Sequence, residues 1–341
     1  MTHIPLLGKT LAELQIIAQE LGQKAFVGKQ IAEWLYKKRA TTIDEMTNIS
    51  QKTRVLLNEK YVTGRYEPTC SVSSIDGTQK FLFPTSVTTD SESVYIPDDD
   101  RATLCVSTQV GCRMGCMFCA TGKMQFHAQM SAAEILNQIF SVPESNKLTN
   151  LVFMGMGEPF DNTTEVMRAL EIMTADYACA WSPSRITVST AGVVGGLKKF
   201  LEHSKCHLAV SLHNPFHEGR KELMPIEKPF PLSETLSLIR KYDFKHQRRV
   251  TFEYILFDGV NDSMRHAVEI VKILRGIPCR VNLIKFHASE EDTLKGANLE
   301  KMNFFRDYLN NNGILTTIRK SRGEDILAAC GMLAGKNIAN S

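Results

Sequence analysis

No run of eighteen consecutive apolar residues occurs in the 341-residue chain, so none of it reads as a membrane-spanning helix. The start, Met1-Thr-His-Ile-Pro, lacks the basic and apolar regions of a secretion signal, and a cytoplasmic location is expected. Internal sequence repeats and low-complexity tracts are also missing. Charge of one sign is scarce: the formal net charge is only +3, which by itself demands no polyanionic partner. What remains is an ordinary globular composition, 43% hydrophobic and 23% charged, long enough for a sizeable core and about two domains.

The nine cysteines are an odd set in a chain without an export signal. They are expected to be free, metal-bound or catalytic rather than a disulfide framework. Cys179, Cys206 and Cys279 lie in or beside apolar segments and read as plain core residues. The charge is unevenly spread: residues 1–60 carry nine Lys/Arg against six Asp/Glu, residues 61–100 two against seven, and residues 101–341 twenty-nine against twenty-four. A basic N-terminal segment and a basic main body suit RNA, and solvated helix faces explain them equally well.

Residues 1–60 read as a small helical accessory domain. Thr10-Leu-Ala-Glu13 is a capping-box pattern ahead of Leu11, Leu14 and Leu21. Val27, Ile31, Trp34 and Leu35 make one face of a second helix, whose polar face carries Lys29 and ends in Lys37-Lys38-Arg39. Ser50 is placed to cap a third helix bearing Val55, Leu56 and Leu57. Residues 61–100 form a short β-rich connecting segment, with apolar runs at Lys80–Phe83 and Ser93–Ile96 and a turn signal at Asp76-Gly77. From residue 101 to 341, six strand–helix units alternate, with strands expected at 103–108, 151–154, 186–189, 208–212, 250–257 and 281–286 and a further short strand at 315–318. That rhythm implies a parallel sheet of an α/β protein. Six units suit a partial (β/α)6 barrel with its site at the carboxyl ends of the strands, a doubly wound sheet being the alternative.

The first of these strands runs into Gly111-Cys-Arg-Met-Gly-Cys-Met-Phe-Cys-Ala-Thr-Gly122. Cys112, Cys116 and Cys119 make a C-x-x-x-C-x-x-C triplet on the loop. A structural zinc site and an ordinary iron–sulfur cluster each take four ligands. Three close cysteines leave one iron of a 4Fe–4S cluster open, able to chelate the amino and carboxylate groups of S-adenosylmethionine (SAM). This is the pattern of a radical SAM enzyme, with Phe118 shielding the cluster; a zinc knuckle completed by a distant residue such as Cys105 is the competing reading. Later strand ends add polar groups: Gly157 and Glu158 in a small-residue turn that suits the SAM ammonium, then Ser189, then Ser211-Leu212-His213, then His287. Singly, each serine or histidine is more often a structural polar group. Cys105, within the first strand, and Cys330, near the C-terminus, read from spacing alone as buried thiols, although the small neighbours Ala328, Ala329 and Gly331 leave Cys330 room to react.

Over nearly its whole length the chain resembles the RlmN/Cfr family of radical SAM RNA methyltransferases. The shared motifs are Tyr95-Ile-Pro-Asp-Asp-Asp-Arg-Ala-Thr-Leu-Cys105, Gly111-Cys through Cys119, Phe153-Met-Gly-Met-Gly-Glu158, Ser211-Leu-His213, Glu222-Leu-Met-Pro-Ile226 and Ala328-Ala-Cys-Gly331. The first of these is RlmN-like rather than Cfr-like. The resemblance implies methylation of carbon 2 of an adenosine in large-subunit ribosomal RNA, with a tRNA anticodon-loop adenosine as a second substrate; Cfr-like carbon-8 methylation and, in another class, a zinc-binding RNA module are the alternatives. It implies one 4Fe–4S cluster, two SAM per turnover, an electron donor such as flavodoxin, and a monomer.

The resemblance also assigns roles. Cys330 accepts a methyl group and becomes S-methylcysteine, a 5′-deoxyadenosyl radical takes hydrogen from it, and the carbon adds to adenine. Cys105 then resolves the adduct as a transient disulfide with Cys330. Glu92 matches a proton acceptor, although in Thr89-Asp-Ser-Glu-Ser it reads as an ordinary exposed residue. Family SAM contacts fall on Gly157, Glu158, Ser189, Ser211, Leu212 and His213, and on His287, where the family commonly has asparagine. Phosphate contacts are expected from His246–Arg249, Arg319–Arg322 and the basic N-terminal helix.

Overall fold

The computed structural model describes residues 3–87, 89–244, 248–288 and 293–334. The N-terminal helices form as the pattern predicts. Helix α1 (Leu11–Glu20) starts on a complete Thr10–Glu13 capping box, a device worth about 1 kcal/mol. Helix α2 (Phe26–Ala32) buries Val27 and Ile31 and runs on through a wider turn, Glu33–Lys37, that buries Leu35 and Tyr36. Helix α3 (Gln51–Lys60) is capped by Ser50 and buries Leu57, whereas Val55 faces outward at 54% exposure.

Ten strands make one sheet: β1 (Cys70–Ser73), β2 (Gln79–Phe83), β3 (Ser91–Pro97), β4 (Ala102–Cys105), β5 (Asn150–Phe153), β6 (Ile186–Thr190), β7 (His207–Ser211), β8 (Val250–Leu256), β9 (Cys279–Lys285) and β10 (Leu315–Arg319). Their order in the sheet is their order in the chain. From β4 to β10 all neighbours are parallel. The connections carry α4 (Ala120–Lys123), α5 (Ala132–Ser141), α6 (Thr163–Thr174), α7 (Val194–His203), α8 (His217–Leu223), α9 (Leu232–Ile239), α10 (Met264–Leu274) and α11 (Leu299–Asn311). A doubly wound sheet reverses its strand order at a switch point. Here the order never reverses, which selects the partial barrel.

The 61–100 segment is more than a connector. Strands β1 to β3 join the barrel sheet antiparallel, β3 pairing Val94 with Cys105 of β4. This covers the edge that β4 would otherwise leave unpaired. The main core is continuous, running from Leu6, Leu14 and Ile31 of the N-terminal part to Val188, Phe252 and Phe305 of the barrel. No helix among the described residues is long and apolar enough to cross a membrane.

Candidate active site

Just beyond β4, Gln109 and Val110 pair with Gln129 and Ala128, closing the intervening residues into a stem-held loop. The loop folds tightly at Gly111: its φ is +77°, and a Cβ there would lie 2.1 Å from the Gln125 carbonyl oxygen. Cys112, Cys116 and Cys119 line one cavity, with Met114 and Phe118 beside them. Phe118 meets His213 edge-on at 4.8 Å and lies against Phe257 at 5.6 Å, so it packs beside the triplet. Burial, opposed by a bond from the Met114 backbone and aided by Glu158 and Cys119, pushes the Cys112 thiol up to about 12. Burial and the other two thiols push Cys116 well up as well. Crowded buried thiols of this kind become thiolates when metal binds. Among the described residues no three His, Cys, Asp or Glu are spaced to hold a single ion, and Cys105 does not line this cavity. The donor set therefore fits a three-thiolate cluster seat better than a four-ligand zinc knuckle.

The same cavity is bounded by Gly157, Glu158, Ser189, Ser211 and His213 from the ends of β5 to β7, and by Glu253 from within β8. Gly157 has φ +99°, and a Cβ there would strike the Gln109 side chain at 2.5 Å. Glu158 is braced: its carboxylate accepts from Thr190 Oγ1 (2.7 Å), Ala191 N (2.7 Å) and Phe160 N (3.0 Å). Burial outweighs these bonds and raises it to about 7. His213, at φ +49°, accepts at Nδ1 from Ile255 N (3.0 Å). Burial and Arg220 lower it to about 3, so the ring is neutral and its Nε2–H is the remaining donor.

A second cavity adjoins the first. It holds Cys105, His287 and the cations Lys285, Arg319, Lys320 and Arg322. Cys119, Met154, Gly155, Ile284, Arg319, Cys330 and Gly331 line both. Cys330 is exposed and Cys105 is buried, and both are free thiols. Burial and the neighbouring Cys330 push Cys105 up to about 12 against the pull of Arg319. The Cys330 segment is pinned on two sides. Toward the cluster loop, Ala120 N donates to Gly331 O (2.7 Å) and Thr121 Oγ1 to Leu333 O (2.6 Å). Toward the tip of the β1–β2 hairpin, Asp325 accepts from Ser74 Oγ (2.6 Å) and Ile75 N (3.2 Å), while Asp76 accepts from Gly323 N (3.0 Å).

Three expected residues fall elsewhere. His287 lines the second cavity rather than the first, with Nε2 2.7 Å from Ser321 Oγ and Nδ1 3.1 Å from Glu324. The Leu212 side chain is buried in the main core and lines neither cavity. Glu92 is 1% exposed, not an exposed loop residue, because β3 carries it into the sheet opposite β2, where Lys80 Nζ lies 3.8 Å away. Of the expected phosphate-binding residues, His246 and Gln247 lie outside the described residues. Arg248 is occupied with the Leu201 carbonyl and the Phe200 ring, and Arg319 points into the cavities.

Sequence reasoning missed Arg220, Glu253 and Lys80. Arg220 is fully buried and donates to Leu212 O (3.1 Å), Ala191 O (2.7 Å) and Ser211 O (2.8 Å), with Glu227 as its counterion. It ties the ends of β6 and β7 together behind the cavity. The signal for Glu253 is a lone carboxylate in the apolar run Val250–Leu256.

The chain is similar throughout to proteins of known family. Residues 106–271 match the radical SAM superfamily, and residues 4–62 match the ribosomal RNA large subunit methyltransferase N-terminal domain. A probable dual-specificity RNA methyltransferase RlmN of Bacteroides fragilis is 57% identical over 334 residues, covering 98% of this chain and 97% of the relative. The dual-specificity RNA methyltransferase RlmN of Marinobacter nauticus is 38% identical, covering 98% and 93%. The crystal structure of a radical SAM methyltransferase from Sphaerobacter thermophilus superimposes with a TM-score of 0.91 at 38% identity, covering 98% of this chain and all of that one.

Proposed function

Because the chain belongs to the RlmN family of radical SAM RNA methyltransferases, we propose that it methylates carbon 2 of an adenosine in large-subunit ribosomal RNA, and an adenosine of a tRNA anticodon loop as a second substrate. SAM and a 4Fe–4S cluster are the cofactors of its superfamily. The observation that carries the reading is the shared wall: Cys330 faces both the cavity of the cysteine triplet and the cavity of Cys105. A one-carbon unit on that sulfur is reachable from either side.

When bound, the cluster and SAM supply a 5′-deoxyadenosyl radical. Cys112, Cys116 and Cys119 hold the cluster, and Gly157, Glu158, Ser189, Ser211, His213 and the backbone at Leu212 orient SAM. Cys330 would carry a methyl group supplied by one SAM and present it to the radical supplied from a second. Once that carbon is joined to adenine, with the ring hydrogen leaving as a proton to Glu92 and the odd electron returning to the oxidised cluster, the Cys105 thiolate would attack the Cys330 sulfur. The carbon–sulfur bond breaks toward the RNA, which takes up a proton, and a Cys105–Cys330 disulfide remains. This detour suits an electrophilic ring carbon, which direct transfer of an electrophilic methyl group does not. Glu92 is the proton acceptor; it shares a strand face with Val94, the register partner of Cys105. His287, with Lys285, Lys320 and Arg322, lines the nucleotide side of the shared wall. The enzyme works as a cytoplasmic monomer and takes its electron from a donor such as flavodoxin.

Intact-protein mass spectrometry of protein made in cells is expected to show one added methyl group, localised to Cys330 and missing in Cys330→Ala. Digested RNA product is expected to contain 2-methyladenosine; 8-methyladenosine alone would overturn the choice of carbon. Uptake of a single zinc, in place of about four irons, would overturn the enzyme reading.

A further inference from the structure

One face of β2 to β4 carries a lysine almost as deeply buried as the carboxylate beside it: Lys80 is 6% exposed and Glu92 1%. Register sets the pair. Lys80 stands opposite Val94 of β3, and Val94 opposite Cys105 of β4. Residues two apart on a strand share a face, so Glu92 lies diagonal to Lys80 on the face that bears Cys105. Lys80 Nζ is 3.8 Å from Glu92 Oε1. The same ammonium donates at 3.5 Å to the carbonyl oxygen of Leu327, three residues before Cys330. Leu327 is held at φ +52°, a left-handed conformation unusual for its side chain, and Ala328 N closes the turn on Gly323 O (2.8 Å). Val94, Cys105 and Ala328 pack in one apolar cluster, so this face of the sheet meets the segment that carries Cys330.

Packing gives no reason for a charge at this position. Burying an ammonium and a carboxylate strips both of hydration, and well-packed apolar side chains in their place are often as stable or more so. The requirement comes from the carboxylate. A buried carboxyl group is driven toward its uncharged form, which is already protonated and so takes up no further proton. A neighbouring ammonium opposes that drive and keeps an acceptor ready between turnovers. The Leu327 contact adds a second effect. One ammonium touches both the proton acceptor and the turn leading to the methyl-carrying sulfur, so the two are held in one frame rather than placed independently.

We propose that Lys80 is a positioning residue for methyl transfer: its ammonium keeps Glu92 ionised to receive the ring proton and ties that carboxylate to the segment bearing Cys330. The proposal rests on the reading of Glu92 as the proton acceptor. Full-length enzyme, made in cells so that Cys330 carries its methyl group and then reconstituted with cluster, is mixed with a ribosomal RNA fragment, SAM and dithionite for a single turnover. Both 5′-deoxyadenosine and methyladenosine are counted. Lys80→Met is expected to form 5′-deoxyadenosine within about twofold of the unmodified rate and methyladenosine about tenfold or more slowly. Lys80→Arg, which keeps the charge, is expected to recover most of the coupling. Lys80→Gln, which keeps a donor for Leu327 without the charge, is expected to uncouple like Lys80→Met. Glu92→Gln should uncouple the two products in the same way, and adding Lys80→Met to it should cost nothing further. Melting temperature and the cluster absorption band report whether each variant is folded and loaded. A lysine that merely supported the fold would lower both products together. An unchanged product ratio in either neutral variant, folded and loaded, therefore overturns the proposal, as does a loss that adds to that of Glu92→Gln. Coupled turnover in Glu92→Gln overturns the reading of Glu92 itself, and the two failures are thereby distinct.

Discussion

Cys105 and Cys330 are chemically unequal although both face one cavity. Cys330 is solvent-exposed, whereas burial pushes Cys105 up to about 12. Attack by Cys105 needs its thiolate, whose fraction rises about tenfold per pH unit while pH is below the thiol's range. Release of RNA from the Cys330 adduct, followed in a single-turnover quench, is therefore expected to accelerate with unit slope between about pH 7 and 9. A flat profile would mean that another step or another thiol resolves the adduct. Arg220 shows a different dependence on burial. Removing one partner of a buried, hydrogen-bonded pair typically costs about 3–5 kcal/mol, so Arg220→Met is expected to lower the stability of the apo-protein in urea by that order. Pairing it with Glu227→Gln should recover part of the loss. Neither arginine nor glutamate was legible beforehand, because the partners of Arg220 are carbonyls of three residues brought near only by the fold.

At the scale of elements, the segment from Gly323 to Leu333 has little regular structure and depends on its two clasps. One clasp, Asp325 with Ser74 and Ile75 plus Asp76 with Gly323, comes from a hairpin that the sequence marks only as a turn at Asp76-Gly77. Hydrogen bonds from Thr78 and Gly323 outweigh burial and hold Asp76 well below the usual carboxylate range, so this clasp stays charged throughout the working pH range. Asp325→Ala is expected to speed amide hydrogen exchange in residues 323–333 with no change in the exchange of β6 to β8. Turnover should fall while cluster content stays the same. The strand–helix rhythm from β4 onward was readable because parallel strands buried on both faces are continuous apolar runs. The pairing of β1 to β3 onto β4 was not, since antiparallel neighbours carry no local mark of which edge they will join. The same gap explains Glu92: its flanking residues are polar, and its interior position comes from neighbours such as Lys80 on β2 that the fold brings to it.

Over the whole molecule, the N-terminal helices are not an appendage. Arg65 donates to Phe140 O (2.7 Å) and to Arg39 O, Glu13 pairs with Arg168 at 2.6 Å, and Tyr36 packs near Phe140. With a core continuous across these contacts, scanning calorimetry of the apo-protein is expected to show one unfolding transition. Arg65→Ala should lower its midpoint without splitting it, and two resolved transitions would show the helical part to be independent. Domain boundaries near residues 60 and 100 were visible as changes in sequence texture. Texture reports which kind of element forms locally, whereas continuity of the core depends on contacts between residues far apart in the chain.

The clasp between Ser74 and Asp325 joins positions 251 residues apart, so it closes only when nearly all of the described chain has been made. During synthesis the cysteine triplet leaves the ribosome some two hundred residues before Cys330. Carrying the methyl acceptor some two hundred residues beyond the triplet, and anchoring it to an early hairpin, makes the coupling of radical to methyl group depend on contacts between distant parts of the chain.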